Sequence, residues 1–545
     1  MVLKLTNLFK RNIPKKNEEK NKHLPFDSAK HNAPISVNLT KNINKLLDIT
    51  GNAPDLIIRG LEPSYMAGVS MSVVYISGLA NNDIIDNAIM NSILDKLELT
   101  TTESILLKKD VISFIKRKVI KTSNVEEVDY FDELLSKLFA GDTIIFIEGA
   151  HQALTVSTLG WEHRGVEEPQ SQTVIRGPKE GFTEDLNTNT TLIRRKIKSP
   201  NLWMENMKIG KVTETKVVIM YLKGVVNEKV LEEVKQRLKR IETDSILESG
   251  YIEEFIQDST FSPFPTISNS ERPDTIAGGI LEGQVAILID GTPFVLMAPV
   301  TFFKFFQASE DYYHRYDIVT FIRIMRFSSF FVSMLLPSLY IAITTFHQEM
   351  LPTTMLVSLM AQREGIPFPA FVEALIMEIT FEVLREAGVR MPRAIGPAIS
   401  IVGALVLGQA AVQAGLVSAA MVIIVSFTAI SNFVAPHFNM AIAARLLRFA
   451  FMLLAATLGL FGIMSGLLIV LIHLVGLRSF GVPYLMPLAP FMPSNQKDVF
   501  VRVPWWAMKN RPVLIGNPDD KTRSTTMKAT VQNNESHEEY ESQKE

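Results

Sequence analysis

The sequence predicts an α+β soluble N-terminal region in two lobes, followed by an all-α multi-span membrane domain. Three observations carry this reading. The 545 residues are 47 % hydrophobic and 21 % charged, with a mean hydropathy of +0.17; that balance fits a soluble part joined to a membrane part. Up to about Tyr316, short β-type runs alternate with amphipathic helical stretches. Beyond it come uncharged runs long enough, at about 1.5 Å per residue, to cross a hydrocarbon core of roughly 30 Å.

Residues 1–35 form a basic tail with Lys4, Lys10, Arg11, Lys15 and Lys16, and contain no apolar run that could serve as a signal-peptide core. In the first lobe (36–150), strands are expected at Asp55–Arg59, Ser72–Ile76 and Asp142–Ile147, with helices at Asn82–Leu97 and Asp129–Phe139. The boundary with the second lobe (151–316) is placed near Gly149–Arg176, where Gly, Pro and charged residues cluster. This lobe offers a strand at Val217–Leu222, a helix at Asn227–Ile241 and a hairpin whose turn is Asp290-Gly291. The membrane domain (317–493) carries four or five expected spans. The first is Phe327–Phe346, the uncharged stretch Ala394–Ala444 is long enough for two crossings, and Phe449–Leu477 is the last. Arg323 and Arg326 precede the first span, Arg390 and Arg393 the middle pair, and Arg445 and Arg448 the last, which places all three pairs and the soluble region on the cytoplasmic side. A return crossing is then needed, and Phe368–Leu384, with Glu373, Glu378 and Glu382, is the candidate. Residues 494–545 read as a polar, disordered tail.

Composition narrows the chemistry. Fifty-five Lys+Arg against 57 Asp+Glu leave no bulk attraction for nucleic acid. The lack of cysteine removes disulfides, thiol nucleophiles and thiolate metal sites. Glu148, His151, Glu162 and His163 lack a compact ligand spacing, so neither a metal nor a cofactor is expected. No nucleophile elbow or kinase signature is present, so no enzyme is expected. The loop Arg176-Gly-Pro-Lys179-Glu-Gly reads as a structural turn whose two cations pair with carboxylates, with anion binding as the sharper alternative. Asp274 and Asp311, near the membrane junction, are candidates for coupling or for plain capping. His473, alone on an apolar span, reads as a hydrogen-bonded helix contact.

Intramembrane polar groups say more, because burying them costs several kcal/mol unless they are paired or wetted (about 2.5–3.5 on insertion scales). Glu378 and Glu382 share a helix face; either they pair structurally, with Arg393 and Arg385 as the nearby partners, or they serve ion conduction. Along Ile395–Gln413, Val402, Val406, Gln409 and Gln413 form one stripe, apolar running to amide. In a ring of helices this stripe would line a pore with a dewetting gate and a polar mouth; otherwise it is an ordinary helix contact.

The blocks Glu167-Glu-Pro169, Val174–Glu184, Asn189–Lys198, Arg272-Pro-Asp274, Asp290-Gly-Thr-Pro293, Leu336–Ala342, Arg385–Pro392 and Ser479–Tyr484 resemble, in order, those of the A subunits of the GerA family of spore-germination nutrient receptors. The resemblance spans 38–493. It implies a subunit of the spore inner membrane that works with a transporter-like, nutrient-binding B subunit and a lipoprotein C subunit. It further implies a homo-oligomeric ring, a pentamer, forming an ion channel that releases monovalent cations when nutrient binds. In the family pattern the position of Gln172 is often Glu. A transporter of small solutes or ions is the alternative, but it would require about ten spans and an internal repeat, and none is evident in the sequence.

Overall fold

The computed structural model describes residues 33–62, 70–94, 111–116, 120, 125–160, 168–169, 172–390, 408–493, 496–508, 511 and 515–516. The basic tail up to residue 32, Val402 and Val406 lie outside them.

The soluble region is built twice over. Helix α1 (Leu39–Thr50) precedes strands β1 (Leu56–Leu61), β2 (Met71–Ile76), β3 (Val125–Val128), β4 (Thr143–Ile147) and β5 (Ala153–Val156), which form an antiparallel sheet in the order β1-β2-β4-β5-β3. Helices α2 (82–94, with a π-helical turn over Ile85–Met90) and α3 (Phe131–Leu138) accompany it. Then helix α4 (Leu186–Lys196) precedes β6 (Leu202–Ile209), β7 (Thr215–Leu222), β8 (Ser268–Ser270), β9 (Val285–Ile289) and β10 (Val295–Ala298), in the order β6-β7-β9-β10-β8. Here α5 (Glu228–Lys239), α6 (Ser249–Ile256) and α7 (Pro273–Leu281) flank the sheet. The second sheet repeats the strand order of the first.

The duplication extends to local chemistry. Asn42 bridges back to Ser36, accepting from its N–H (2.9 Å) and donating to its carbonyl (2.6 Å); Asn189 does the same to Thr183 at 2.8 and 2.6 Å. Tyr75-Ile-Ser-Gly78-Leu-Ala-Asn81 matches Tyr221-Leu-Lys-Gly224-Val-Val-Asn227. In each, a glycine with φ of +86° turns the chain out of a strand and an Asn caps the next helix. Gly141-Asp-Thr-Ile-Ile-Phe-Ile-Glu-Gly149 matches Gly283-Gln-Val-Ala-Ile-Leu-Ile-Asp-Gly291. This internal repeat lies in the soluble region, was legible in the sequence, and is not the repeat of spans that a transporter would require. The boundary placed at 150 moves, because it would cut the β4–β5 hairpin; the first sheet runs through Val156. The units meet through Arg194, whose guanidinium bonds Asp55 at 2.8 and 3.0 Å, and through Trp203, which packs on Gly51 and donates to the Ile49 carbonyl.

Among the described residues, two helices are long and apolar enough to cross a bilayer, α8 (Tyr316–Phe346) and the run Phe438–Gly476. Between them lie α9 (Thr353–Arg363), α10 (Ala370–Arg390), the short α11 (Gly408–Gln413) and α12 (Ala419–Phe433); the long run is α13. Side-chain pairs fix their directions. Helix α8 leaves the soluble region; α10 returns, with Glu373 beside Ser418, Glu378 on Arg448 and Arg385 over Phe433 and Phe438. Helix α12 also returns.

Helix α13 is not one straight span, in contrast to the expected Phe449–Leu477. Gly459 is non-helical (φ +60°, ψ −140°) and folds the run back on itself, so a Cβ at Gly466 would lie 2.7 Å from the Phe451 ring. The tip rests on α8's far end, where a Cβ at Gly459 would meet His347 at 2.8 Å and Phe346 at 3.0 Å. Both ends of the hairpin touch the soluble region: Asn439 reaches Glu253, and His473 meets Ser262 at 2.8 Å. The outward faces of α12 and α13 are apolar, with Ile423, Phe427, Leu453, Phe461 and Leu468 exposed. Phe302, Phe303, Phe305 and Phe306 join the second sheet unit to this bundle; the Phe306 ring stacks on Phe327 at 4.2 Å.

A candidate coupling joint and the intramembrane charges

The start of α8 carries Arg323 and Arg326 one turn apart. Neither is a solvated flank. Arg323 is fully buried, donating to Asp311 Oδ2 (2.9 Å), Asp498 Oδ1 (2.9 Å) and the Asp498 carbonyl (2.8 Å). Arg326 takes the other oxygen of Asp311 at 2.7 Å. A buried Arg needs its charge matched, and two carboxylates do so here, one of them from a segment 175 residues away, through Nε and Nη1.

Asp498 corrects the reading of 494–545 as a disordered tail. Residues 496–508 are ordered against the joint: Val499 is buried in the aromatic core, Arg502 donates to the His314 carbonyl (2.9 Å), and Trp505 packs on Tyr312. Within the polar tail this segment is itself mostly apolar, eight of its thirteen residues being hydrophobic, and its Asp498 and Arg502 are bonded at the joint. Residues 517–545 lie outside the described residues.

Two adjacent tyrosines bridge the joint. The Tyr312 hydroxyl donates to Asp498 Oδ2 at 2.8 Å, on the α8 side. The Tyr313 hydroxyl donates to Asp274 Oδ2 at 2.7 Å, on the side of the second sheet, and burial pushes its pKa up. Asp274 opens α7 after Pro273 and is chelated by Arg272 at 2.7 and 3.1 Å. Arg272, itself buried, also donates to the carbonyls of Gln172 (3.2 Å) and Pro178 (2.9 Å). The loop containing Arg176 is thus clamped to the joint, and a Cβ at Gly177 would lie 2.7 Å from the Tyr313 ring. Arg176 itself is exposed and makes no ion pair among the described residues. Lys179 pairs with Glu168 at 2.9 Å, both exposed. A cavity of about 420 Å³ opens beside these groups, walled by Asn269, Asp274, Lys304, Tyr312, His437 and Trp505.

Within the bundle, Glu378 bonds Arg448 at 2.5 Å with both side chains buried, and Arg448 also donates to the Ser333 carbonyl at 2.7 Å. Glu382 receives both Nε (2.9 Å) and Nη2 of Arg445. For Glu382 the partner is thus Arg445 and not Arg385, and for Glu378 it is Arg448, because α13 lies alongside α10 and supplies arginines 63 and 70 residues away; Arg393 lies outside the described residues. Glu373, expected only as a polar residue on the return helix, accepts from the Ser418 N–H and hydroxyl at 3.1 and 2.9 Å, with Arg363 3.3 Å away. Gln409 and Gln413 are exposed on α11. Among the described residues no cluster of His, Asp or Glu is arranged to hold a metal.

Glu253 on α6 is a titratable contact between the second sheet unit and the hairpin. Asn439 and Asn269 donate to it weakly, at 3.4 and 3.5 Å. Burial, aided by the nearby charge of Glu248, raises its pKa from 4.5 to about 7. The protonated form is favoured on folding, so its contribution is full below pH about 4.3, the unfolded value, and is lost as pH rises through 7. The thermal midpoint of the purified protein is therefore expected to fall between about pH 5 and 7 and to level off above, and Glu253→Gln should remove that part of the slope. An unchanged slope in the variant would place the titration elsewhere.

Comparison with known proteins identifies the lineage. Residues 44–514 match the family model described as Bacillus/Clostridium GerA spore germination protein. The chain is 51 % identical over 489 residues to spore germination protein KA of Bacillus subtilis (strain 168), covering 90 % of this chain and 88 % of that protein. It is 45 % identical over 479 residues to the uncharacterized membrane protein YfkQ of the same organism, covering 88 % and 91 %. Among solved structures, the N-terminal domain of the A subunit of the Bacillus megaterium spore germinant receptor GerK3 is 38 % identical, covering 50 % of this chain and 98 % of that one, with a TM-score of 0.41. With the family model matched from the first helix to beyond the joint, the chain belongs to the GerA family of spore germination proteins.

Proposed function

We propose that this protein is the A subunit of a spore-germination nutrient receptor, assembled as a pentameric ring in the spore inner membrane, and forms the channel through which monovalent cations leave when nutrient binds. A transporter-like B subunit would hold the nutrient and a lipoprotein C subunit would complete the receptor. The soluble region would face the cytoplasm: Arg323, Arg326, Arg390 and Arg445 lie toward the soluble ends of their helices, as the positive-inside tendency asks, whereas Arg448 is buried in the middle of the bundle. The observation that carries the channel reading is the disposition of polar groups in the bundle. Glu378 and Glu382 are already matched by arginines, whereas Gln409 and Gln413 are exposed at the end of an apolar stretch. Amides beyond an aliphatic constriction offer a hydrated ion a mouth, with Val402 and Val406 as the dewetting gate. The Tyr312–Tyr313 bridge would carry motion of the second sheet to α8.

Trimming the gate tests this reading. Val402→Ala or Val406→Ala should widen and wet the constriction, so that spores leak cations or germinate without nutrient and the purified protein conducts in planar bilayers without ligand. Stable, assembled protein that stays silent in both variants would place the pore elsewhere. As plain packing residues they would only cost stability, roughly 1–3 kcal/mol by the scale for trimming core side chains.

A further inference from the structure

Helix α13 returns to the soluble region with its outward face apolar to the last turn: Leu468, Ile469, Leu471, Ile472 and Val475 are all exposed. On that turn His473 meets the Ser262 hydroxyl at 2.8 Å and packs on the Phe264 ring, centroids 6.2 Å apart. The loop bearing these residues is bolted down further on: the Tyr484 hydroxyl donates to the Pro265 carbonyl at 2.8 Å and the Ser479 hydroxyl to the Thr266 carbonyl at 2.7 Å. The loop is thereby fixed at the level where the lipid-facing surface of the helix ends. Its remaining large side chain, Phe261, is fully exposed. Between Ser259 and Ser270 no residue is charged, and Pro263 and Pro265 lack N–H groups, so little must be dehydrated if this loop enters an interface.

We infer that Phe261 inserts into the headgroup boundary of the bilayer that holds α13 and anchors the second sheet unit to the membrane surface. An aromatic ring on a rigid, uncharged loop beside a lipid-facing helix is suited to that zone, where the ring leaves water while neighbouring hydroxyls and carbonyls stay wet. The nearest charged side chains in sequence are acidic, Asp258 and Glu271, so the contact is apolar and requires no anionic lipid. The inference rests on the membrane reading above, and its test separates the two.

The chain has no cysteine, so Phe261→Cys can carry a single environment-sensitive fluorophore (NBD). The protein is reconstituted in phosphatidylcholine vesicles containing nitroxide-labelled phosphatidylcholine, with Leu468→Cys on the outward face of α13 and Val212→Cys on the exposed β6–β7 turn as references. The label at 261 should be blue-shifted relative to 212 and quenched several-fold more by a nitroxide near the headgroup than by one deep in the acyl chain, unchanged in high salt. If 261 behaves like 212 while 468 is quenched, the anchor is wrong and the membrane reading stands. If 468 is not quenched either, both fail. Efficient disulfide cross-linking between subunits of the unlabelled Phe261→Cys variant, with no quenching of the labelled one, would overturn the inference in favour of a second copy of the chain.

Discussion

Arg448→Met with Glu378 left in place is expected to destabilise the protein by about 3–5 kcal/mol, the scale for removing one partner of a buried pair. Both side chains are essentially inaccessible, at 1 % and 0 % exposure. The guanidinium reaches α10 through Glu378 and α8 through the Ser333 carbonyl, so one side chain ties three helices. Its loss strands a carboxylate among apolar groups and leaves a carbonyl unpaired. The unfolding midpoint of the detergent-solubilised protein should drop sharply. The double variant Arg448→Met/Glu378→Leu should recover most of the loss, because removing both charges also removes the desolvation penalty. A single variant as stable as the parent would mean that the pair is not a structural bond.

Arg323→Ala is expected to cost a similar amount, about 3–5 kcal/mol, and to leave a local signature. Asp311 keeps Arg326, but the Asp498 carboxylate is left with the Tyr312 hydroxyl, while its carbonyl still accepts from the Gln307 amide. Segment 496–508 should therefore loosen first and become the earliest site of limited proteolysis. Arg323→Lys should rescue part of the midpoint and little of the protease resistance, since a point charge cannot fill the directions to Asp311 and Asp498 together. Adding Asp498→Asn to Arg323→Ala should recover stability by removing the unpaired charge. Protease resistance equal to the parent's in Arg323→Ala would show that the remaining contacts of Val499, Arg502, Trp505 and the Asp498 carbonyl hold the segment without it.

Local elements were legible because their causes are local. The Asp290-Gly291 turn, the three-four periodicity of 227–241 and the uncharged run after Phe327 each announce themselves within a few turns of chain. Asp311 was legible as a candidate from its place at the junction, but not its partners. The duplication could have been found too: its matches at spacings of 142–147 residues are short, and they concern turn glycines and capping asparagines more than core identities.

By itself, then, the sequence determined the order of a soluble α+β part and an apolar helical part, the absence of thiol chemistry, and a family resemblance carried by linear blocks. Only the tertiary structure decided which arginine neutralises Glu378, that the start of the polar C-terminal tail is bound at the joint, and that Gly459 folds one long apolar run into a hairpin. The reason is physical. Helix propensity and hydropathy are set by neighbours a few residues apart, whereas a buried charge is matched by whichever opposite charge the packing brings to it, here 70 residues away for Glu378 and 175 for Arg323.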